Sequence, residues 1–433
     1  MPGVDLGELR QLLDAGGIRA VYQPIVDLQS LEPVAYEALA RGPVGSPFEA
    51  PDRLFATAGA AGVTAEVDAA CRAAAIDGAV RDTRTDPFTL FVNVEPGSID
   101  GSPLFELPQQ EIILRDRVRV VVELTERALT ERPSDLLAAV AWLRSRGVGV
   151  ALDDIGVDRR SLALMPFIRP DVIKLDMALV QDHPSARMAA IANAVGAESE
   201  RSGAQVLAEG IETDRHLERA ISLGATLGQG WLFGRPDDLP AAPARRAVLK
   251  ARRPPSGQAL GTPFRIVSRN RELRRASKAV LVRRSRQLEA QVEQLGAEAV
   301  LLSTFQEARF FDGATSDGYR LLAERAALVG AFGRGMPDEP APGVTGGALD
   351  AVDPLGEEWN VIVLSPHFAA ALVARDLGDD GPDEARRFDF AMTYDRDVVA
   401  AAASALMSRV VPQVGPVGEL PSWMVPASFA SRA

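Results

Sequence analysis

The chain has 433 residues, 47% of them apolar and 24% charged, with a net charge of −12 and one cysteine. This is the composition of a globular chain with core enough for two or three domains, and a lone cysteine excludes an intrachain disulfide framework. The acidity argues against bulk nucleic-acid binding. No apolar run approaches the roughly 18 residues of a membrane span. The acidic N-terminus lacks a signal-peptide pattern, so a cytoplasmic protein is expected.

Residues 1–16 read as a short amphipathic helix, with Leu6, Leu9, Leu12 and Leu13 on one side and Gly16-Gly17 closing it. Val21 to Val26 and Val34 to Leu39 follow as two strands whose connection, across Asp27-Leu28-Gln29-Ser30, is too short for a helical crossover. They should therefore be antiparallel. Then the pattern becomes regular. An Ala-rich helix over Leu54 to Val80, with Cys71 as a core thiol, precedes a strand Phe88 to Val92. Further strands are Val118 to Val122, Val148 to Leu152, Val172-Ile173, Gln205 to Ala208 and a segment around Gln229 to Phe233. Helices are expected over Ser134 to Ser145, Ala186 to Arg201 and Asp214 to Leu223. Eight strands, mostly alternating with helices, fit a (β/α)8 barrel with an irregular first pair. An open doubly wound sheet is the runner-up, weakened because no Gly-rich phosphate loop follows the first strand.

Strand after strand ends in a polar residue: Glu37, Asn93, Glu123, Asp153, Lys174, Glu209 and Gln229. In a barrel such ends converge on one rim. Helix capping by acids explains one or two of them; Glu, Lys and Gln are poor caps. The stretch Asp153-Asp154, taken alone, reads equally as a metal site or as an N-cap. The four acids and an amide form an all-oxygen donor set, suited to Mg2+ or Mn2+ rather than zinc. His183, His216 and His367 show no paired spacing. Two adjacent acids could serve two ions, which stabilise in-line displacement at phosphorus, and Lys174 could hold a water or offset phosphate charge. The spacing points to metal-assisted phosphoester hydrolysis and leaves the substrate open.

The motifs Tyr22-Gln23-Pro24-Ile25, Glu37-Ala38-Leu39-Ala40-Arg41, Asn93, Glu123-Leu124-Thr125-Glu126, Asp153-Asp154-Ile155-Gly156, Ile173-Lys174-Leu175-Asp176, Ala208 to Thr213 and Gln229-Gly230 stand in order. Over about residues 17–240 they resemble the EAL domain of cyclic di-GMP phosphodiesterases. The resemblance implies a TIM-like barrel that hydrolyses cyclic di-GMP to linear pGpG with Mg2+ or Mn2+, two ions in all. It implies that Glu37, Asn93, Glu123, Asp153 and Asp154 hold metal, and that Lys174 and Glu209 position or deprotonate the attacking water. Gln23, Leu39, Arg41, Asp176, Glu212 and Gln229 would lie at the substrate, and Glu126 would brace the loop after Asp154. The family pattern in that loop is Phe-Gly-Thr-Gly, then an aromatic or variable residue, then Ser-Ser-Leu. This chain has Ile155-Gly156-Val157-Asp158-Arg159-Arg160-Ser161-Leu162. An Asp in place of a Gly could strain or reshape the turn, and two arginines add charge near an anionic substrate.

Residues 241–264 read as a Pro/Gly-rich linker within a basic stretch; Arg245 to Arg286 holds 14 Lys/Arg against one acid, Glu272. A helix over Asn270 to Leu295 presents Leu281, Ser285, Leu288, Val292 and Leu295, either a short coiled-coil seam or a face packed on its own domain. Beyond it a smaller α/β unit is expected. Its strands are Val300 to Ser303, Leu328 to Phe332, Asn360 to Leu364 and Phe388 to Tyr394. Its helices are Gly318 to Ala326, Pro366 to Leu377 and Asp395 to Val410, with Met336 to Gly347 a loop. Ser303 to Glu307, Tyr319 and Trp359-Asn360-Val361 resemble the DICT sensory module over about 265–420, with 421–433 a tail. The expectation is a cyclic di-GMP phosphodiesterase regulated by its C-terminal domain, with a homodimer through the barrel or the linker helix. A receptor that binds without turnover, and a scaffold, are the alternatives.

Overall fold

The computed structural model describes residues 6–81, 88–94, 118–126, 129, 133–239, 261–379 and 382–410. The chain begins with α1 (Leu6–Asp14), whose Leu9 and Leu12 are buried against Phe48, Leu54 and Val67, while Leu6 is exposed. β1 (Arg19–Asp27) and β2 (Pro33–Arg41) form the antiparallel pair. The Asp27 carboxylate closes their turn, accepting from the N–H groups of Gln29 at 3.0 Å and Ser30 at 2.8 Å. The long Ala-rich helix divides at Gly62, φ 69°, into α2 (Pro51–Ala61) and α3 (Thr64–Arg81).

β3 (Phe88–Val94), β4 (Val118–Thr125), β5 (Gly149–Ile155), β6 (Val172–Leu175), β7 (Gln205–Ala208) and β8 (Leu227–Gly228) then pair in parallel, and β8 closes on β1. β1 is antiparallel to both its neighbours. The intervening helices are α4 (Pro133–Ser145), α5 (Arg159–Ile168), α6 (Met177–Gln181), α7 (Ala186–Ser202) and α8 (Asp214–Ser222). The eighth strand is shorter and earlier than expected. At Gly230, φ 155°, a Cβ would lie 2.1 Å from the Ile211 carbonyl oxygen, so the chain turns there instead of extending to Phe233. The barrel floor is one apolar cluster with a contribution from every strand: Ile25, Val34 and Ala35, Phe91, Val121, Ala151, Val172, Leu207 and Leu227.

The second domain is a seven-stranded sheet in the order β12-β11-β10-β13-β14-β15-β9. Its elements in chain order are α9 (Pro263–Ser268), β9 (Arg274–Ser277), α10 (Lys278–Leu295), β10 (Val300–Glu307), α11 (Gly313–Ala323), β11 (Leu328–Arg334), β12 (Thr345–Ala348), β13 (Glu358–Leu364), β14 (Ala369–Asp376), β15 (Arg387–Thr393) and α12 (Arg396–Val410). Three expectations are corrected. The stretch 270–277 is not helical, because β9 pairs with β15 before α10 starts. Ala369–Asp376 is a strand rather than a helix, since a short turn after Leu364 folds it back on β13 in full register. The Pro/Gly loop runs into an edge strand, β12, which pairs in parallel with β11.

Alternation along the strands gives the sheet two apolar faces. One face takes Leu281, Leu288 and Val292 of α10 and Tyr319 and Leu322 of α11. The heptad-like seam is therefore consumed within its own domain, not in a coiled coil. The other face, covered by Phe264, Val267, Val399 and Leu406, continues without a break into the outer core of the barrel. Residues 241–260 of the expected linker and the tail lie outside the described residues. Among the described residues no helix is long and apolar enough to cross a membrane.

Candidate active site

The floor cluster dictates where the polar residues go. In a strand, residues two apart share a face. Two residues beyond Ala35, Phe91, Val121, Ala151, Val172, Leu207 and Leu227 stand Glu37, Asn93, Glu123, Asp153, Lys174, Glu209 and Gln229. β1 runs the other way, so its counterpart lies two residues before Ile25, at Gln23. Eight strands thus raise one polar layer above one apolar layer, at the C-terminal mouth. Leu39 and Arg41 continue outward along the face of Glu37.

Lys174 is the hub. It is 1% exposed, and its Nζ lies 2.8 Å from Glu123, 2.8 Å from Glu209, 3.0 Å from Asp153 and 3.8 Å from Glu37. Glu37 is also held by Asn93 Nδ2, which donates at 2.9 Å, and by Gln229 Nε2 at 2.7 Å. Gln229 Nε2 lies 3.1 Å from Gln23 Oε1, and Gln23 donates to the Gly234 carbonyl at 3.1 Å. The network therefore closes around the barrel from β1 to β8.

Charge in this layer is unbalanced, with Glu37, Glu123, Asp153, Asp154 and Glu209 around one ammonium. Burial and repulsion from Glu37 push Glu123 well above the ordinary carboxylate range. Burial, opposed by Lys174 but aided by Asp153 and Glu37, raises Glu209 to about 8. Asp154 is raised by burial and by Asp153. Burial opposes ionisation of Glu37 too, yet Lys174, Gln229 and Asn93 hold it below the usual value. Burial would lower Lys174, but its four carboxylates carry it well above an ordinary lysine. The site fits divalent cations. The donors are all oxygen and amide, Glu123 Oε2 and Gln229 Oε1 are buried without a hydrogen-bond partner, and one oxygen each of Asp153, Asp154 and Glu209 falls within 4.8 Å of the others.

The loop after β5 follows from its own chemistry. Asp154 takes φ 57° and Gly156 φ 120°. The Glu126 carboxylate accepts from Gly156 N at 3.2 Å, from Asp158 N at 2.7 Å and from the Ser161 hydroxyl. Asp158 is extended, φ −111°, and caps α5 by accepting from Arg160 N at 2.9 Å. The feared strain is absent at Asp158. Nor do the arginines aim at the mouth: Arg160 pairs with Asp158 at 2.7 Å, and Arg159 Nε donates to Glu298 at 2.6 Å. Spacing did not disclose Arg187, whose Nη2 donates to the carbonyls of Gly156 at 2.8 Å and Val157 at 2.7 Å.

Four expected residues lie outside the Lys174 network. Asp176 uses its carboxylate to cap α6, accepting from Ala178 N at 2.8 Å. Glu212 is exposed, on the loop after Glu209, and its N–H donates to His216. Arg41 is half-buried and donates to the Ala40 carbonyl at 2.8 Å. Leu39 is half-buried at the rim.

Fold and rim together define a TIM-like barrel whose mouth is an acidic, lysine-centred, all-oxygen site. The chain belongs to the EAL-domain family, whose model matches residues 6–236. A second model, the sensory domain in diguanylate cyclases and two-component systems (DICT), matches residues 266–377. The chain is similar to the cyclic di-GMP phosphodiesterase RocR of Pseudomonas aeruginosa, 31% identical over 161 residues, 35% of this chain and 39% of that protein. It is also similar to the cyclic di-GMP phosphodiesterase NbdA of the same organism, 30% identical over 249 residues, 54% of this chain and 31% of that one. The chain spans about a third of the length of the curated relatives it matches. The solved Klebsiella pneumoniae BlrP1 manganese/cy-diGMP complex is 30% identical and covers 51% of this chain and 56% of that one, with a TM-score of 0.44.

Proposed function

We propose that the protein hydrolyses cyclic di-GMP to linear pGpG, using Mg2+ or Mn2+, and that the C-terminal domain regulates it. The observation that carries this reading is the layer in which Lys174 gathers Glu37, Glu123, Asp153 and Glu209 beside the unpartnered Glu123 Oε2. The family and the names of its relatives support the substrate. Glu37, Asn93, Glu123, Asp153 and Asp154 would hold the cations, two in number. When bound, divalent cations would offset the charge of the acid layer and of the phosphate, and acidify water.

The chain's own residues do the rest. Gln23, Leu39 and Arg41 line the way in; the planar fork of Arg41 suits a phosphate. Glu212 and Asp176 stand at the outer rim, where they meet the nucleotide. Lys174 fixes the carboxylates and orients the attacking water. Glu209, whose carboxylate lies 2.8 Å from Lys174 in the same layer, takes a proton from that water. Water adds to one phosphorus, the P–O3′ bond breaks, and the O3′ leaves with a proton from solvent while Glu209 releases to solvent the one it took. Glu126 holds the loop that aims Asp154. A cytoplasmic location and self-association through the barrel belong to the same reading, and light scattering tests the latter.

The experiment is turnover of cyclic di-GMP with Mn2+ and with Mg2+, read by chromatography, beside binding in Ca2+. Product from the wild type and none from a folded Glu37→Ala variant is expected. Tight binding without product would make the protein a receptor. Wild-type turnover by Glu37→Ala would refute the ligand assignment.

A further inference from the structure

The loop after Asp154 is held from three directions. Glu126 holds its N–H groups and Arg187 its carbonyls, and both belong to the barrel. The third hold comes from the other domain. Arg159, the first residue of α5, donates through Nε to Glu298 Oε1 at 2.6 Å, with Nη2 at 2.5 Å. Glu298 lies on the 3-10 turn Gly296–Glu298 that joins α10 to β10. α5 packs on this turn and touches α12. A second, weaker tie runs beside it. Arg201 of α7, paired with Glu198 at 2.5 Å, stands 3.8 Å from Asp397 of α12.

We infer that the C-terminal domain sets the geometry of the metal-binding rim through this contact, with the Arg159–Glu298 pair as its latch. Three features make the route mechanical. Every residue of α5 from Ser161 to Ile168 is buried, so the helix shifts as a body rather than bending side chain by side chain. Its first turn is tied to Glu126 by Asp158 and Ser161, and Glu126 also holds Gly156, two residues from Asp154. On the far side, the Glu298 turn is the direct continuation of α10. Glu289 of α10 accepts from Tyr319 at 3.1 Å, and the same phenol oxygen lies 2.7 Å from Ser303 of β10. A rearrangement of α10 against α11 and β10 therefore displaces Glu298, Arg159, the start of α5 and Asp154 in turn. Asp158, which stands where the family's second Gly would, caps α5, and Arg159, at the family's variable position, crosses to the other domain.

The inference rests on the proposed function for what the rim binds, and not for the coupling itself. The test uses the full chain with Arg159→Glu, Glu298→Arg and the two combined. Glu298→Gln, which keeps the side chain's size, guards against misfolding. Amide hydrogen exchange is followed over residues 155–161 without ligand, with Mn2+ affinity by calorimetry and cyclic di-GMP turnover on the same preparations. Each single charge reversal should speed exchange of the loop and weaken Mn2+ binding by about two- to fivefold, the effect a partly exposed ion pair supports. Glu298→Gln should give the smaller change, and the double reversal should recover both. Coupling is reciprocal, so Mn2+ should slow exchange across 296–298 in the wild type and not in the single variants. Singles that match the wild type in exchange and Mn2+ affinity, or a double variant as impaired as its parents, would overturn the latch. Intact coupling with no turnover would uphold the latch and overturn the enzyme reading.

Discussion

Replacing Lys174 by Met tests the organisation of the mouth most directly. The side chain keeps its length and loses its charge, leaving Glu123, Glu209 and Asp153, each within 3.0 Å of the former Nζ, to face one another. Each pair at such distances is worth about 6 kcal/mol at an effective dielectric of ~20, most of it offset by desolvation. Removing one partner of a buried ion network leaves a net loss of about 3–5 kcal/mol, or roughly 6–20 °C in the unfolding midpoint of a barrel this size. The loss should appear in EDTA at pH 7.5. Mn2+ should raise the variant's midpoint more than the wild type's, because the cations take over the role of the ammonium. A Lys174→Met variant within 2 °C of the wild type in EDTA would refute the view that Lys174 holds the acid layer together.

In the metal-free protein, Glu209 keeps its proton up to about pH 8, whereas in the unfolded chain it loses it near 4.5. Its contribution to stability is therefore full below pH 4.5 and is lost as pH rises through about 8. Thermal unfolding in EDTA should show this decline, Glu209→Gln should flatten it, and an equal decline in that variant would assign it elsewhere. Glu126→Ala orphans the N–H groups of Gly156 and Asp158, at about 1–3 kcal/mol, and should speed their amide exchange roughly tenfold or more. Unchanged exchange there would remove Glu126 as the brace. Tyr319→Phe leaves Glu289 and Ser303 without the phenol and should destabilise the C-terminal domain by about 1–3 kcal/mol, read by denaturation. A loss below about 0.5 kcal/mol would show that water replaces the hydroxyl.

Much of the barrel is legible because buried strands are written in short apolar runs, and their polar ends stand out against them. Val148 to Leu152 followed by two acids is the plainest case. The period of two does the rest, carrying each floor residue to the site residue above it. What stayed hidden depends on partners far along the chain. Ala369–Asp376 has the alanines of a helix, and only its pairing with β13 and β15 makes it a strand. Asp176 is visible by position, but the cap its carboxylate makes with the N–H of Ala178 depends on where α6 begins. The distant groups that take Arg159 and Arg187 have no local signal, since nothing in the spacing places Glu298 or the Gly156 carbonyl within reach.

The hydrophobic cluster that crosses from the barrel into the C-terminal sheet bears on how freely the two modules can be separated. Domains joined only by a linker melt independently and survive excision. Here the outer side of α5 packs against the 3-10 turn Gly296–Glu298 and touches α12. A barrel cut away at residue 239 would bare that apolar strip, and it would be expected to aggregate or to recruit another surface in its place. The pair is better regarded as one cooperative folding unit, and exchanging its sensory half for another would require redesigning the seam as well.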